Sequence, residues 1–321
     1  MRRFICALAC LMLFCLSALA EDGEFVGGGR AGYLDGAYFM SVDEGETQAL
    51  VRIEGEKAYV AQRADAYGGM VSMGGALYML RRTGDVWEIV GINGGGEWQV
   101  YGFEAGRQAS GLGARDGSLF VLVDGVLHIV YPEQKQCLQL AGAQMSEYAL
   151  VGDVAYYVSA DSLSEHKLAS EEGDMAEAQA GSLCAVELST GKKTVLLAEG
   201  ASELKYYDGT LYFHSFADRY LMLSGDGVAI AGRLYGYDVA SGEFTKLTDG
   251  YDWDYAVGPG GVLVCREDGL ILLGADGAES VVQLLPAYAE LARAENALVC
   301  YDPETQTFTV LPDGGAPVTA Q

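Results

Sequence analysis

Gly181-Ser182-Leu183-Cys184-Ala185-Val186-Glu187-Leu188-Ser189-Thr190-Gly191-Lys192 and Gly232-Arg233-Leu234-Tyr235-Gly236-Tyr237-Asp238-Val239-Ala240-Ser241-Gly242-Glu243 are one unit written twice. Each opens on Gly, runs through alternating apolar residues and turns on Thr-Gly or Ser-Gly. Each then returns through a second run, Thr194-Val195-Leu196 or Thr245-Lys246-Leu247, and the copies align without a gap at an offset of 51 residues. Successive strand side chains point to opposite faces, so period-two alternation between Gly-rich turns spells a β-hairpin rather than a helix.

The unit recurs at Asn296–Gln306 and at Leu127–Lys135, with looser copies turning at Ala275-Asp276-Gly277, Asn93-Gly94-Gly95 and Glu44-Gly45-Glu46. The seven turns at Gly45, Gly94, Gln134, Gly191, Gly242, Asp276 and Thr305 are spaced by 49, 40, 57, 51, 34 and 29 residues, a mean of 43. Four-stranded propeller blades repeat at about 40–50 residues. One such sheet cannot bury two apolar faces alone, whereas radial stacking lets each blade cover the next. The expected fold is therefore an all-β, seven-bladed β-propeller over residues 32–315, six blades being the alternative. The short last interval implies a trimmed final blade, or one completed by residues near Phe25–Tyr33. A second signal, Gly75-Ala76-Leu77-Tyr78, Gly117-Ser118-Leu119-Phe120, Gly209-Thr210-Leu211-Tyr212 and Gly261-Val262-Leu263, is read as the innermost strand of a blade.

Through Leu234-Tyr235-Gly236-Tyr237-Asp238 and Asp208-Gly209-Thr210-Leu211-Tyr212-Phe213, the chain resembles secreted bacterial β-propellers of the TolB-like and YWTD-like type. The likeness covers most of Gly32 to Leu311 and rests on a generic repeat, so it implies a fold and transfers no catalytic residue. The Tyr-Trp-Thr-Asp signature itself is absent. No calcium or receptor role is carried over.

The chain start reads as an address. Met1-Arg2-Arg3 precedes an apolar run from Phe4, and Ala18-Leu19-Ala20 stands before Glu21-Asp22. This is signal-peptide grammar over residues 1–20, an uncleaved anchor being the alternative. A flexible segment is expected over 21–31 and a tail over 316–321. The expected destination is the cell envelope or the medium, without membrane insertion after cleavage. The 321 residues carry 20 Lys and Arg against 45 Asp and Glu, a formal charge of -25, and loss of residues 1–20 makes it -27. So acidic a chain is no match for nucleic acid, whose binding releases counterions through Lys and Arg contacts. Four cysteines remain, Cys137, Cys184, Cys265 and Cys300, all in apolar runs. They permit two disulfides in three pairings, but buried free thiols are favoured because a large core does not need the cross-links.

Two intervals are inflated by insertion at corresponding points: Asp161–Ala180, with Glu171 and Glu172, and Ala217–Ala231, with Tyr220-Leu221-Met222-Leu223. They are read as first-to-second-strand turns of adjacent blades, which puts them side by side on one face. Their acidic and apolar residues are the candidate partner-binding positions. Gly27-Gly28-Gly29-Arg30-Ala31-Gly32 spells G-x-G-x-x-G, but no strand leads into it and no helix pattern follows. No Walker A, G-x-S-x-G, H-E-x-x-H or paired C-x-x-C is present, so neither a catalytic residue nor a cofactor is assigned. Asp252 and Asp254 are weak calcium candidates, since alternate strand carboxylates offer hard oxygens on one side. The expected function is a secreted, non-catalytic propeller that binds a protein or carbohydrate partner. Its alternative is an extracellular hydrolase or lyase acting on glycans with carboxylates at the axial channel. A structural spacer or accessory subunit is the third reading.

Overall fold

The computed structural model describes residues 26–169, 175–224, 227–252, 254–259, 261–266, 269–274, 278–283, 289–313 and 316–321. The residues assigned to a signal peptide, together with Glu171, Glu172, Trp253 and the turn at 275–277, lie outside them. A short strand β1 (Val26–Gly27) precedes a run of antiparallel meanders. Blade I is β2 (Ala31–Leu34), β3 (Ala37–Asp43), β4 (Gln48–Glu54) and β5 (Lys57–Ala64). Blade II is β6 (Ala66–Met73), β7 (Ala76–Thr83), β8 (Val86–Asn93) and β9 (Gly96–Gly102). Blade III is β10 (Ala109–Arg115), β11 (Ser118–Val123), β12 (Val126–Tyr131) and β13 (Gln136–Gln139).

Blade IV is β14 (Met145–Val151), β15 (Val154–Ser159), the second half of β17 (Met175–Glu187) and the first half of β18 (Lys193–Tyr207), with β16 (Ser164–Ala169) pairing the first half of β17. The second half of β18 continues into blade V, with β19 (Thr210–Ser224), β20 (Gly227–Asp238) and β21 (Phe244–Lys246). Blade VI is β22 (Asp254–Gly258), β23 (Gly261–Arg266), β24 (Gly269–Leu273) and β25 (Glu279–Gln283). Blade VII is β26 (Glu290–Ala294), β27 (Ala297–Asp302), β28 (Thr307–Pro312) and β29 (Val318–Ala320). The fold is a seven-bladed β-propeller.

Its core is a ring of layers between blades. Leu50 and Ala37 meet Met70 and Leu77 at the I/II seam, Leu80 meets Leu112 and Val121 at II/III, and Phe120 meets Tyr148 at III/IV. Leu234 meets Tyr255 and Val264 at V/VI, Cys265 meets Cys300 and Leu298 at VI/VII, and Met40 and Ile53 meet Val299 and Phe308 at VII/I. Each large aliphatic buried this way contributes about 1.5–3 kcal/mol. Both faces of every blade draw on that term, which is why the strands read as apolar on both sides.

Several sequence expectations change in frame. The Gly-x-Leu segments at Gly75, Gly117, Gly209 and Gly261 begin second strands, β7, β11, β19 and β23. The innermost strands are β6, β10, the second half of β18, and β22. Five of the seven turns join third to fourth strands, whereas Gly45 and Thr305 join second to third. The short final interval comes from that mismatch: blade VII has four strands of its own, and the strands within the described residues 26–33 pair with blades III and I instead. The expected tail contains β29, and the expected flexible lead contains β1, paired to β10 through Val26↔Ala114 and Gly27↔Gly113.

Candidate functional site: an acid-lined channel mouth beside two hairpins

In an up-and-down meander, second-to-third-strand turns emerge on the same face as the connections between blades. The two insertions are such turns, one step out from the first-to-second position expected. Each forms a β-hairpin. Ser164–Ala169 pairs with Met175–Ala180, and β19 extends so that Tyr220↔Ala231, Leu221↔Ile230, Met222↔Ala229 and Leu223↔Val228 are in register. The hairpins come from neighbouring blades and meet where the His166 ring stacks on Phe216, centroids 6.3 Å apart.

Every innermost strand starts on this face. Near the start of four of them a carboxylate is followed by a large side chain: Glu147-Tyr148, Glu203-Leu204, Asp254-Tyr255 and Glu290-Leu291. These residues line the axial mouth of blades IV to VII. Apart from Asp254, named above as a calcium candidate, they were not singled out from the sequence, although this acid-plus-large pair, once in each of these four blades, is the signal that marks them.

Glu203 is the most unusual of the four. It sits at a bulge, where the β18–β19 register shifts between Ser202 and Lys205, with a left-handed φ of 58°. A non-glycine residue there costs about 1–2 kcal/mol. Neighbouring blades hold the bulge in place. The Glu147 carboxylate of blade IV accepts the Glu203 N–H at 3.0 Å and also the Leu204 N–H. From blade VI, the fully buried Tyr255 hydroxyl donates to the Glu203 carbonyl, with the Tyr212 carbonyl also at 2.9 Å. Lys205 reaches back to blade VI, at 3.4 Å from Asp254 Oδ1 and onto the Tyr255 carbonyl. Bulges commonly re-aim a side chain at a site, and this one sets the Glu203 carboxylate beside His214.

The electrostatics differ from one carboxylate to the next. Burial pushes Glu147 above the ordinary carboxylate range, and its two backbone donors only partly oppose that. Burial acts to raise Glu203 too, but His214 and Lys205 outweigh it, so the carboxyl is held below its usual range. His214 is 1% exposed and places Nδ1 3.0 Å from Glu203 Oε2. The Glu203 side chain nevertheless remains 41% exposed, because solvent enters through the mouth. Glu290 is raised by burial, with Arg30 at 2.8 Å opposing. Asp254 is spent on backbone N–H groups, Tyr255 at 2.7 Å and Leu291 at 3.0 Å. The arrangement therefore presents one anchored, anionic, solvent-reached carboxylate. The buried pair partners beside it are already engaged.

The calcium candidates do not converge. Asp252 is completely buried, with Oδ1 at 2.5 Å from Arg266 Nε and Oδ2 accepting the Thr248 hydroxyl at 2.7 Å. Asp254 lies at the start of β22 and faces Leu291 and Lys205. Among the described residues no group of three or more His, Cys, Asp or Glu is placed to hold a metal ion. Tyr220 to Leu223 lie in the blade V hairpin. The four cysteines are free thiols, three of them buried. Among the described residues no helix is long and apolar enough to cross a membrane.

No protein-family model matches the chain, and neither does any curated protein. Solved structures do match. The β-propeller domain of the Trilobed protease from Pyrococcus furiosus is 10% identical over 93% of this chain and 98% of its own, at a TM-score of 0.55. The dihydro-heme d1 dehydrogenase NirN is 11% identical over 92% of this chain and 66% of its own, at 0.51. The extracellular domain of a putative hybrid two component system from B. thetaiotaomicron is 12% identical over 92% of this chain, at 0.47, and this chain spans 38% of that protein's length. At such identities the likeness shows architecture alone: the chain is a β-propeller.

Proposed function

We propose that the chain is a secreted, non-catalytic propeller of the TolB-like or YWTD-like type. It binds a protein partner with a basic surface on the face that carries the two hairpins. The observation that carries this reading is the junction of those hairpins beside the acid-lined mouth, at the His166–Phe216 contact. Its charge supports a cationic partner: 45 acidic against 20 basic residues overall, with Glu165 and Glu177 exposed on the blade IV hairpin. Electrostatic complementarity steers encounter and weakens with salt.

The test is a pull-down from cell-envelope extracts, with cross-links mapped on the bait, run in parallel with a glycan panel. Replacing 161–180 or 217–231 by a two-residue turn should abolish capture while the thermal transition is retained. Binding that survives both deletions refutes the placement, and selective glycan binding replaces the partner class.

One observation favours the hydrolase alternative, namely that neighbouring environments drive Glu147 up and Glu203 down, as in acid/base pairs. Both Glu147 oxygens, however, accept backbone N–H groups. Glycoside hydrolysis that is lost in both Glu147→Gln and Glu203→Gln would establish that second reading.

A further inference from the structure

We propose that residues 26–30 form an internal strap that holds the ring closed at the one seam the chain does not cross. Consecutive blades are linked covalently, and β18 even runs unbroken from blade IV into blade V. Blades VII and I are the last and the first in chain order, and among the described residues they share no strand. They meet through side-chain packing, and at the rim through Gln321, whose carbonyl accepts the Ala58 N–H at 3.1 Å and whose N–H donates to Glu56 at 3.4 Å.

The strap approaches that seam from the axis. β1 is antiparallel to β10, so the chain climbs the channel toward the hairpin face. Gly28 donates its N–H to the Leu112 carbonyl of blade III at 2.7 Å, and the Gly29 carbonyl accepts the Met70 N–H of blade II at 2.9 Å. Arg30 then splits across the seam. One guanidinium nitrogen lies 2.8 Å from Glu290 of blade VII, the other donates to the Ser41 carbonyl of blade I at 3.1 Å, and the Arg30 carbonyl accepts the Ser41 N–H at 2.9 Å. Five residues thus tie four inner edges together.

Gly28 is a steric requirement. A Cβ on Gly28 would lie 2.1 Å from the Leu112 carbonyl oxygen and 2.7 Å from that of Met70, both of them backbone atoms that cannot swing away. The receiving strands also approach each other closely: Gly69, at φ 140°, leaves only 3.2 Å between an added Cβ and the Leu112 nitrogen. Blade II therefore carries glycine where the strap passes it, whereas the inner strands of blades IV to VII carry carboxylates near their starts.

Hydrogen exchange on the full chain tests this independently of any binding partner, comparing wild type with Gly28→Val and Arg30→Gln. Gly28→Val expels the strap, and the Met70 amide and the segments 31–42 and 290–310 should exchange about tenfold faster, while the IV/V seam at 183–197 keeps its protection. Arg30→Gln leaves the glycines in place and should speed exchange at the VII/I seam alone; it decides the matter if Gly28→Val does not fold. Unchanged exchange at the VII/I seam in Arg30→Gln, or equal acceleration at all seams in either variant, overturns the proposal.

Discussion

Replacing Asp252 by Ala should destabilise the propeller far more than an average surface change. The Asp252 side chain is fully buried, and the Arg266 side chain it contacts is only 14% exposed. Removing one member of a buried ion pair costs about 3–5 kcal/mol, mostly because the surviving charge stays desolvated. Here Arg266 keeps Glu279, whose two oxygens sit 2.9 and 2.8 Å from its Nη1. That places the expected loss at the lower end, about 3 kcal/mol. The Thr248 hydroxyl retains a weaker acceptor in the Gly250 carbonyl at 3.3 Å and adds little. For a chain of this size the loss corresponds to a fall in Tm of about 5 °C. Urea denaturation and calorimetry of Asp252→Ala, Asp252→Asn, Arg266→Met and the double variant would measure it. The double variant should lose clearly less than the two singles added together. A loss below about 1 kcal/mol would refute the buried-pair account, since surface pairs already reach that value. Millimolar calcium should leave the wild-type Tm unchanged; a calcium-dependent rise that disappears in Asp252→Ala would support the metal reading.

Three further outcomes follow from the same contacts. Tyr255→Phe removes the hydroxyl that anchors the Glu203 bulge and should cost about 1–2 kcal/mol, with faster amide exchange confined to residues 201–206. On acidification, Glu147 and Glu290, whose folded carboxyls lie above 4.5, cost stability at neutral pH and relieve it as they protonate. Glu203, whose folded value lies below 4.5, stabilises above 4.5 and loses that contribution as pH falls through its folded value. Stability should therefore peak at mildly acidic pH, and His214→Gln should move the acid limb upward; a limb that stays put refutes the assigned cause. With an aromatic disulfide reagent at pH 8, Cys265, fully buried with its thiol pushed to about 12, should stay silent. Half-buried Cys137, at about 11, should react slowly, and an immediate reaction of all four thiols in the native state would contradict the packing.

The blade count was legible because a blade must hide two faces, so its strands repeat the same apolar cadence wherever they lie in the ring. The phase of the repeat was not legible. Gly191 and Gly242 turn with φ of 71° and 75°, but the turns at Gln134 and Thr305 place the left-handed residue one position later, at Lys135 and Gln306. Any polar residue that tolerates the left-handed region serves in a hairpin turn. A turn motif therefore shows that a hairpin exists without showing which pair of strands it joins. That ambiguity moved the Gly-x-Leu strands inward by one place and left the last blade seemingly short.

The channel mouth was hidden for a different reason. Its four carboxylates are 56, 51 and 36 residues apart in sequence, and each lies in an otherwise ordinary apolar run. Sequence alone makes them isolated charges at strand starts. Ring geometry brings them together, and it also explains why they survive beside a core: Glu147 and Asp254 satisfy backbone donors of the next blade, where a bulge or strand start leaves an N–H without a ladder partner. Two of the acidic residues are thus structural stitches between blades and Glu290 is paired with Arg30, which leaves Glu203 as the one whose exposure stitching does not require. A neutral Glu203→Gln should accordingly spare Tm within about 1 kcal/mol, because its backbone anchors remain, yet weaken capture of a basic partner. If Glu203→Gln instead unfolds the protein while binding by the folded fraction is unaltered, the carboxylate belongs to the stitching and the binding surface lies on the hairpins alone.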